Sequence, residues 1–285
     1  MMSHNNIKIS PIAGALGADV SGVTLDGFRN EETWKQIYDA FTKYKVLAFR
    51  DLEIDNDGMM EICSRFGQPS YYYFVEGMPD HPFIHEIIKE SHETKNYGGG
   101  WHFDTPYIPD PPIATMLYCL ECPEYGGDTM FANTISAYRA LSPAMKLMLA
   151  PLKCVHNAGL KVLGGRSSHY ESNFGSMKTQ NVGISEEIES IHPLVQTHWV
   201  TKEKYLYVSR THTTKIAGMT EYESRPIIEY LQFHITKPEF TCRLRWTPNT
   251  LAIWDNLLLQ HFPINDYQGH RRHMRRLAVG RRSES

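Results

Sequence analysis

Two imidazoles and one carboxylate stand at a spacing that suits a metal ion. His102 and Asp104 are separated by one residue, and His261 follows far downstream in the run Trp254-Asp255-Asn256-Leu257-Leu258-Leu259-Gln260-His261. Residues i and i+2 of a strand point to one face, so His102 and Asp104 can share an ion without unusual backbone geometry. His261 must be carried to them by the fold. Two histidines and a carboxylate form the facial triad, which covers one side of a ferrous ion and leaves the other open for chemistry. Three protein ligands also make a catalytic zinc site, and composition alone does not separate the two metals. A lone His-x-Asp is common among surface polar residues. This one sits in Gly98-Gly99-Gly100-Trp101-His102-Phe103-Asp104-Thr105-Pro106, where the glycines let backbone approach something closely. His192, His198, His212, His234 and His270 have no carboxylate at ligand spacing and read as structural or exposed, with His192 a candidate to line a pocket.

A second chemical feature is the basic run His270-Arg271-Arg272-His273-Met274-Arg275-Arg276, continued by Leu277, Ala278 and Val279 as a strand. Charge runs are usually solvated. Period two, however, places Arg272, Met274 and Arg276 on one face and Arg271, His273 and Arg275 on the other. If the first face points inward, its arginines need anions, because unpaired buried charge is expensive. The guanidinium fork matches a carboxylate with two parallel hydrogen bonds.

The elements that must position these groups are legible in outline. Trp34, Ile37, Tyr38 and Phe41 fall at helical spacing within 31–44, Val46 to Phe49 is a short apolar strand, and a second helix ends at Gly67. After Gly100 the pattern is mostly strand-like, with Thr241 to Trp246 alternating and Leu251 to Trp254 apolar. Ser142-Pro143 opens a short helix, and Thr220-x-x-Glu223 is a capping box ahead of Ile227, Ile228, Leu231 and Ile235. The polar, Gly- and Ser-rich stretch from about 160 to 187 reads as a surface loop or an active-site lid. Many strands with a few flanking helices predict a mainly β protein with a jelly-roll core.

Composition sets the outer limits. With 285 residues, 41% hydrophobic and 21% charged, the chain suits a soluble globule of one large domain or two modest ones. A net charge of -3 gives no ground for a nucleic-acid or anionic-membrane partner. No apolar run reaches about 18 residues, and the first residues lack the apolar core of a signal peptide, so a cytoplasmic protein is expected. Five scattered cysteines suit reduced thiols. Cys119-Leu120-Glu121-Cys122 has no second pair to complete a zinc site and reads as strand packing. The run Glu53-Ile54-Asp55-Asn56-Asp57-Gly58 resembles the start of a calcium loop, but Ser64 stands where that loop needs a bidentate glutamate.

Taken together, these residues resemble the taurine dioxygenase and 2,4-dichlorophenoxyacetate dioxygenase family of Fe(II)/2-oxoglutarate-dependent enzymes, over nearly the whole chain from about Ile9 to Arg281. The motifs that carry the likeness are Trp101-His102-Phe103-Asp104, Pro111-Pro112, Gly126-Gly127-Asp128-Thr129, His192-Pro193-Leu194-Val195, Trp254-Asp255-Asn256 with His261, and Arg272 with Arg276. Arg272 lies eleven residues after His261, as the family spacing asks. The resemblance implies a single domain built on a double-stranded β-helix, a cupin-like jelly roll, with iron held by His102, Asp104 and His261. It implies that Thr129 and Arg272 hold the distal carboxylate of 2-oxoglutarate and that Arg276 meets an anionic group of the primary substrate. O2 would be the oxidant. The expected reaction is hydroxylation of a C–H bond in a small anionic organic substrate (a sulfonate, an aryloxyalkanoate or similar). Where the hydroxylated carbon carries a heteroatom group, that group is lost by collapse. Family members also suggest a homodimer or homotetramer. One departure stands out. The histidine that follows Phe-Gly in taurine dioxygenases is absent, and Phe66-Gly67 is followed by Gln68, Pro69, Ser70, Tyr71, Tyr72 and Tyr73. Tyr72 falls near that position, as a substrate-binding candidate or as a packed aromatic edge. A zinc hydrolase and a non-catalytic cupin-like metal-binding module are the rival readings.

Overall fold

The structure, a computed structural model, describes residues 7–158, 176–181 and 188–282. Of the stretch read as a lid, only 176–181 belongs to the described residues. That piece is tied to the tyrosine segment, where Gln180 Nε2 donates to the carbonyls of Tyr72 and Val75 at 3.2 and 3.1 Å.

The N-terminal part runs β1 (Lys8–Pro11), β2 (Ala18–Ser21), α1 (Leu25–Arg29), α2 (Glu31–Tyr44), β3 (Val46–Phe49) and α3 (Asn56–Phe66). Asn30 caps α2 by accepting from the Thr33 N–H, and Lys45 ends it in the left-handed conformation at φ 66°. Asp55, within the calcium-loop lookalike, caps α3 by accepting from the Gly58 N–H at 2.8 Å. Next come β4 (Gln68–Ser70), β5 (Gly77–Met78), β6 (His81–Lys89), β7 (Ala114–Glu121) and β8 (Thr129–Asn133). The helices α4 (Thr134–Ala140) and α5 (Pro143–Leu149) lead to β9 (Lys153–Asn157), β10 (Glu189–Pro193), β11 (Val195–Thr197), β12 (Lys204–Leu206) and β13 (Thr213–Ile216). The chain closes with α6 (Glu221–Ile235), β14 (Thr241–Leu244), β15 (Leu251–Asp255), β16 (Leu259–Pro263) and β17 (Arg272–Gly280). Both halves of the Thr220–Glu223 capping box are present at the start of α6. The strand expected to run on to Trp246 stops at Leu244.

A nine-stranded sheet in the order β1-β2-β3-β15-β7-β17-β6-β5, with β4 also paired to β17, forms one layer. Its two faces bury different things. Leu47, Phe49, Met116, Ile253, Leu277 and Val279 pack against the helical layer with Phe28, Ile37, Phe41 and Ile62. The alternate residues Val46, Ala48, Ala252, Trp254 and Met274 pack against a three-stranded sheet ordered β14-β8-β16, through Phe131, Leu244 and Leu259. Strand alternation produces this split, since successive side chains point to opposite faces. Arg272 and Arg276 share the parity of Met274 and are likewise buried, facing the second sheet rather than water.

Candidate metal centre

His261 lies on β16, and the backbones of His102 and His261 exchange both hydrogen bonds as one isolated bridge, at 3.1 and 2.9 Å. That single bridge joins residues far apart in the sequence. The expectation that His102 and Asp104 share a strand face is corrected, because no strand covers 101–105. The physical reason is a side chain standing where a strand partner would be. Asn256 Oδ1 accepts from the Asp104 N–H at 2.8 Å, and its Nδ2 donates to the carbonyls of Asp104 and Pro112 at 3.0 and 2.9 Å. Thr105 then turns the chain at φ 46°.

Ligand atoms of His102, Asp104 and His261 all come within 4.8 Å of one another, and all three residues are buried. The ring of His102 has a fixed tautomer: Nδ1 donates to the Gly100 carbonyl at 2.8 Å, which leaves the Nε2 lone pair facing the carboxylate. Asp104 is divided between two tasks. Its Oδ2 accepts from the Thr115 hydroxyl at 2.7 Å and lies 3.0 Å from Arg276 Nη2. Its Oδ1 faces the Nε2 atoms of His102 and His261 at 3.9 and 3.8 Å, too far for hydrogen bonds. The space between them suits a cation, and the donor set of two neutral nitrogens and one anionic oxygen fits Fe(II). Nδ1 of His261 has no hydrogen-bond partner among the described residues. Gly98 (φ +76°) closes over the site, and a Cβ there would stand 3.2 Å from His102 Cε1.

Electrostatics favour ligand protonation states. Burial pushes the His261 imidazole down to about 3, helped by His102, and burial likewise lowers His102. For Asp104, burial pushes upward, but Arg276, the two histidines and Thr115 more than reverse it, so the carboxyl lies well below its usual range. Neutral imidazoles and an ionised carboxylate are what a metal requires.

The triad opens into a pocket of about 490 Å³ whose lining also includes Tyr97, Thr129, Trp254, Arg272 and Arg276. Arg272 is buried, its Nε and Nη2 have no hydrogen-bond partner among the described residues, and burial lowers its pKa. Thr129 Oγ1 accepts from Trp246 Nε1 at 3.0 Å, so its hydroxyl keeps a hydrogen to donate. Arg276 stands 4.6 Å from the centre of the Tyr72 ring. Tyr72 does not line the pocket. It stands behind Arg276 and Tyr97, and its hydroxyl is hydrogen-bonded to that of Tyr97.

The model of the taurine catabolism dioxygenase TauD, TfdA family matches residues 8–278. The chain belongs to the TauD/TfdA family. Among its relatives is an alkylsulfatase of Acinetobacter baylyi, 30% identical, the match covering 96% of this chain and 84% of that one. Another is an alpha-ketoglutarate-dependent sulfate ester dioxygenase of Pseudomonas putida, 27% identical over 96% of this chain and 89% of the relative. A solved taurine dioxygenase from Burkholderia xenovorans superposes with a TM-score of 0.80 at 28% identity, covering 96% of this chain and 89% of that one.

Within this TauD/TfdA chain, motif reading missed several positioning groups. Thr115 and Asn256 grip Asp104 from β7 and from the turn after β15, and no local spacing marks them as partners. His198, which has no carboxylate at ligand spacing, meets one from far away in sequence: its Nε2 is 3.2 Å from Asp255 Oδ2, and both are buried. Asp255 Oδ1 meanwhile accepts from the N–H groups of Leu257 and Leu258 at 3.0 and 3.1 Å, fixing the turn that presents Asn256. His192 donates from Nε2 to the Ile108 carbonyl at 3.0 Å, a structural role. The rings of His212 and His102 lie 6.1 Å apart, centre to centre.

Proposed function

We propose that this chain is an Fe(II)- and 2-oxoglutarate-dependent dioxygenase that hydroxylates a C–H bond of a small anionic organic substrate. The observation that carries the reading is the coincidence, in one pocket, of an open His-Asp-His donor set with a buried arginine whose Nε and Nη2 have no hydrogen-bond partner among the described residues. A zinc hydrolase would use the triad but has no need of Arg272 beside Thr129. In this reading 2-oxoglutarate, O2 and R–H give succinate, CO2 and R–OH. The two packed sheets form the jelly roll of a double-stranded β-helix in a single cytoplasmic domain.

His102, Asp104 and His261 would hold the iron, which when bound supplies oxygen activation coupled to decarboxylation of the 2-oxo acid. The protein's part is positioning and electrostatics. Thr115 and Arg276 occupy Oδ2 of Asp104, so the carboxylate offers one oxygen. Arg272 and the Thr129 hydroxyl receive the distal carboxylate, giving that buried guanidinium its counter-charge. Arg276 Nη1, which has no hydrogen-bond partner among the described residues, faces the substrate's anionic group, with Tyr72 holding its plane by cation–π contact. Relatives that act on sulfate esters support an alkyl sulfate or sulfonate as that anion. A hydroxylated carbon bearing the ester oxygen would release sulfate on collapse.

The test uses purified protein with Fe(II) and 2-oxoglutarate under anaerobic conditions. A weak visible charge-transfer band is expected, and it should vanish in His102→Ala. A succinate-release screen over alkyl sulfates, sulfonates and aryloxy acids then finds the substrate. No band in the unmutated protein would end this reading.

A further inference from the structure

Cys119 lies on β7, and Cys122 is the first residue past its end. In a regular strand, residues three apart point to opposite faces. Here the register of β7 against β17 sets Met274 opposite Cys119 and His273 opposite Glu121, so Leu120 is the extra residue of a β-bulge. Leu120 packs on the helical side of the sheet, and Glu121 turns outward to pair with Arg271. The bulge therefore returns Cys122 to the inner face, where it packs with buried Cys119 in the cluster that holds Met274. The bulge is held from the other side as well. The Cys119 N–H donates to the Thr250 carbonyl, and its own carbonyl accepts from the Asn249 N–H, both at 2.9 Å. A strand rises about 3.3 Å per residue, so successive residues on one face stand roughly 6.6 Å apart, within the Cα span of about 4.4–6.8 Å that a disulfide bridges. Both cysteines are free, and their thiols are hydrogen-bonded to each other. Among the described residues the triad alone brings three metal-ligating side chains together, so the pair has no third ligand for a metal.

The two thiols are unequal. Cys119 is fully buried, whereas Cys122 is half-buried and open to small solutes. The hydrogen bond from Cys119 lowers the Cys122 thiol against the pull of burial, and the Arg272 and Arg245 guanidiniums add to it. The same bond, with burial, raises Cys119. Cys63, Cys154 and Cys242 are buried, and burial pushes each up to about 12. An accessible thiol favoured as thiolate, beside a second thiol able to resolve it, is the arrangement that oxidises reversibly. We propose that Cys119 and Cys122 form a dithiol that hydrogen peroxide closes to an intramolecular disulfide and a thiol reductant reopens. The Cys122 thiolate attacks one peroxide oxygen, the O–O bond breaks, and the departing hydroxide takes a proton to become water. The Cys119 sulfur then attacks the Cys122 sulfenic sulfur, the S–O bond breaks, and the departing hydroxide takes the Cys119 proton. Two electrons pass from the thiols to the peroxide, and two thiols with one H2O2 become one disulfide and two waters.

The test treats reduced, metal-free, full-length protein with a single equivalent of hydrogen peroxide, alkylates the remaining thiols in denaturant, and weighs the peptides. Three of the five thiols should remain, and the peptide carrying Cys119 and Cys122 should be lighter by two hydrogens. Dithiothreitol should restore both thiols. Cys119→Ser should stop the reaction at a sulfenic acid on Cys122, which dimedone traps. Cys122→Ser should slow the loss of thiol to peroxide by about tenfold or more, because the favoured thiolate is gone. The peptide masses of the unmutated protein decide the matter should either serine variant not fold. Oxygen added at Cys122 while Cys119 stays alkylated would overturn the proposal. Earlier loss of Cys63, Cys154 or Cys242 would do the same, as would a disulfide found only between two chains or no reaction at the pair.

Discussion

At the scale of single residues, the centre depends on how Asp104 is held. Its backbone is gripped by Asn256, and one of its two carboxylate oxygens is occupied by Thr115 and Arg276. Groups that orient a metal ligand typically matter about 10- to 100-fold in metal affinity. Asn256→Ala should therefore weaken Mn(II) or Fe(II) binding by that order, measured by titration of metal-free protein. It should also cost about 1–3 kcal/mol in urea unfolding for the buried backbone groups left unsatisfied. Thr115→Val keeps the shape and removes one hydrogen bond, so its metal affinity should fall less than that of Asn256→Ala. Equal affinity in all three proteins would show that Asp104 needs no such support. His102, Asp104, His261, Arg272 and Arg276 were legible because their types are rare in a core and their chemistry demands a partner. Asn256 stood within a legible motif, yet its role was not readable: its partner lies 152 residues away, and an amide side chain advertises no single task.

At the scale of elements, β17 was the most readable part of the site. Alternation separates the two arginine sets, and two of the outward residues, Arg271 and His273, are answered by acids on or beside neighbouring strands. Arg271 Nε meets Glu90 at 3.0 Å, and His273 Nε2 meets Glu86 Oε1 at 2.9 Å. The stretch from His102 to Asp104 was misread as strand, because nothing in its own residues announces that Asn256 will replace a neighbouring strand. Glycine content just ahead of it was the better signal. Gly98 has a positive φ and leaves no room for a methyl beside His102. Gly98→Ala should cost roughly 1 kcal/mol in stability from backbone conformation alone. It should also lower metal affinity, because the His102 ring must shift by some tenths of an ångström. Thermal unfolding with and without Mn(II) separates the two effects: a backbone cost alone would appear equally in both measurements.

At the scale of the whole molecule, the strand order β3-β15-β7-β17 could not be read from periodicity, since pairing between distant strands leaves no local mark. One consequence of that long-range packing is a cluster of aromatic and histidine rings around His156. His156 on β9 is fully buried, its ring 5.6 Å from that of His192 and 5.3 Å from that of Tyr207. Burial, with help from His192 and His212, pushes His156 down to about 3. An unfolded histidine titrates near 6.5. The unfolded chain therefore takes up this proton first as the medium is acidified. The contribution of neutral His156 to stability is complete above about pH 6.5 and declines by about 1.4 kcal/mol per pH unit down to about pH 3, below which it is flat. His156→Phe removes that proton from the balance and keeps a ring against His192 and Tyr207, at the cost of the 3.3 Å contact between Nδ1 and the Thr213 hydroxyl; Nε2 has no partner among the described residues. Urea unfolding of metal-free protein at pH 7 and pH 5 is the measurement. The unmutated protein should lose about 2 kcal/mol more between the two than His156→Phe does. Metal must be absent, because ligand protonation would add its own slope. Parallel losses in the two proteins would mean that His156 becomes protonated within the folded state, and that the packing around β9 admits water or a counter-charge.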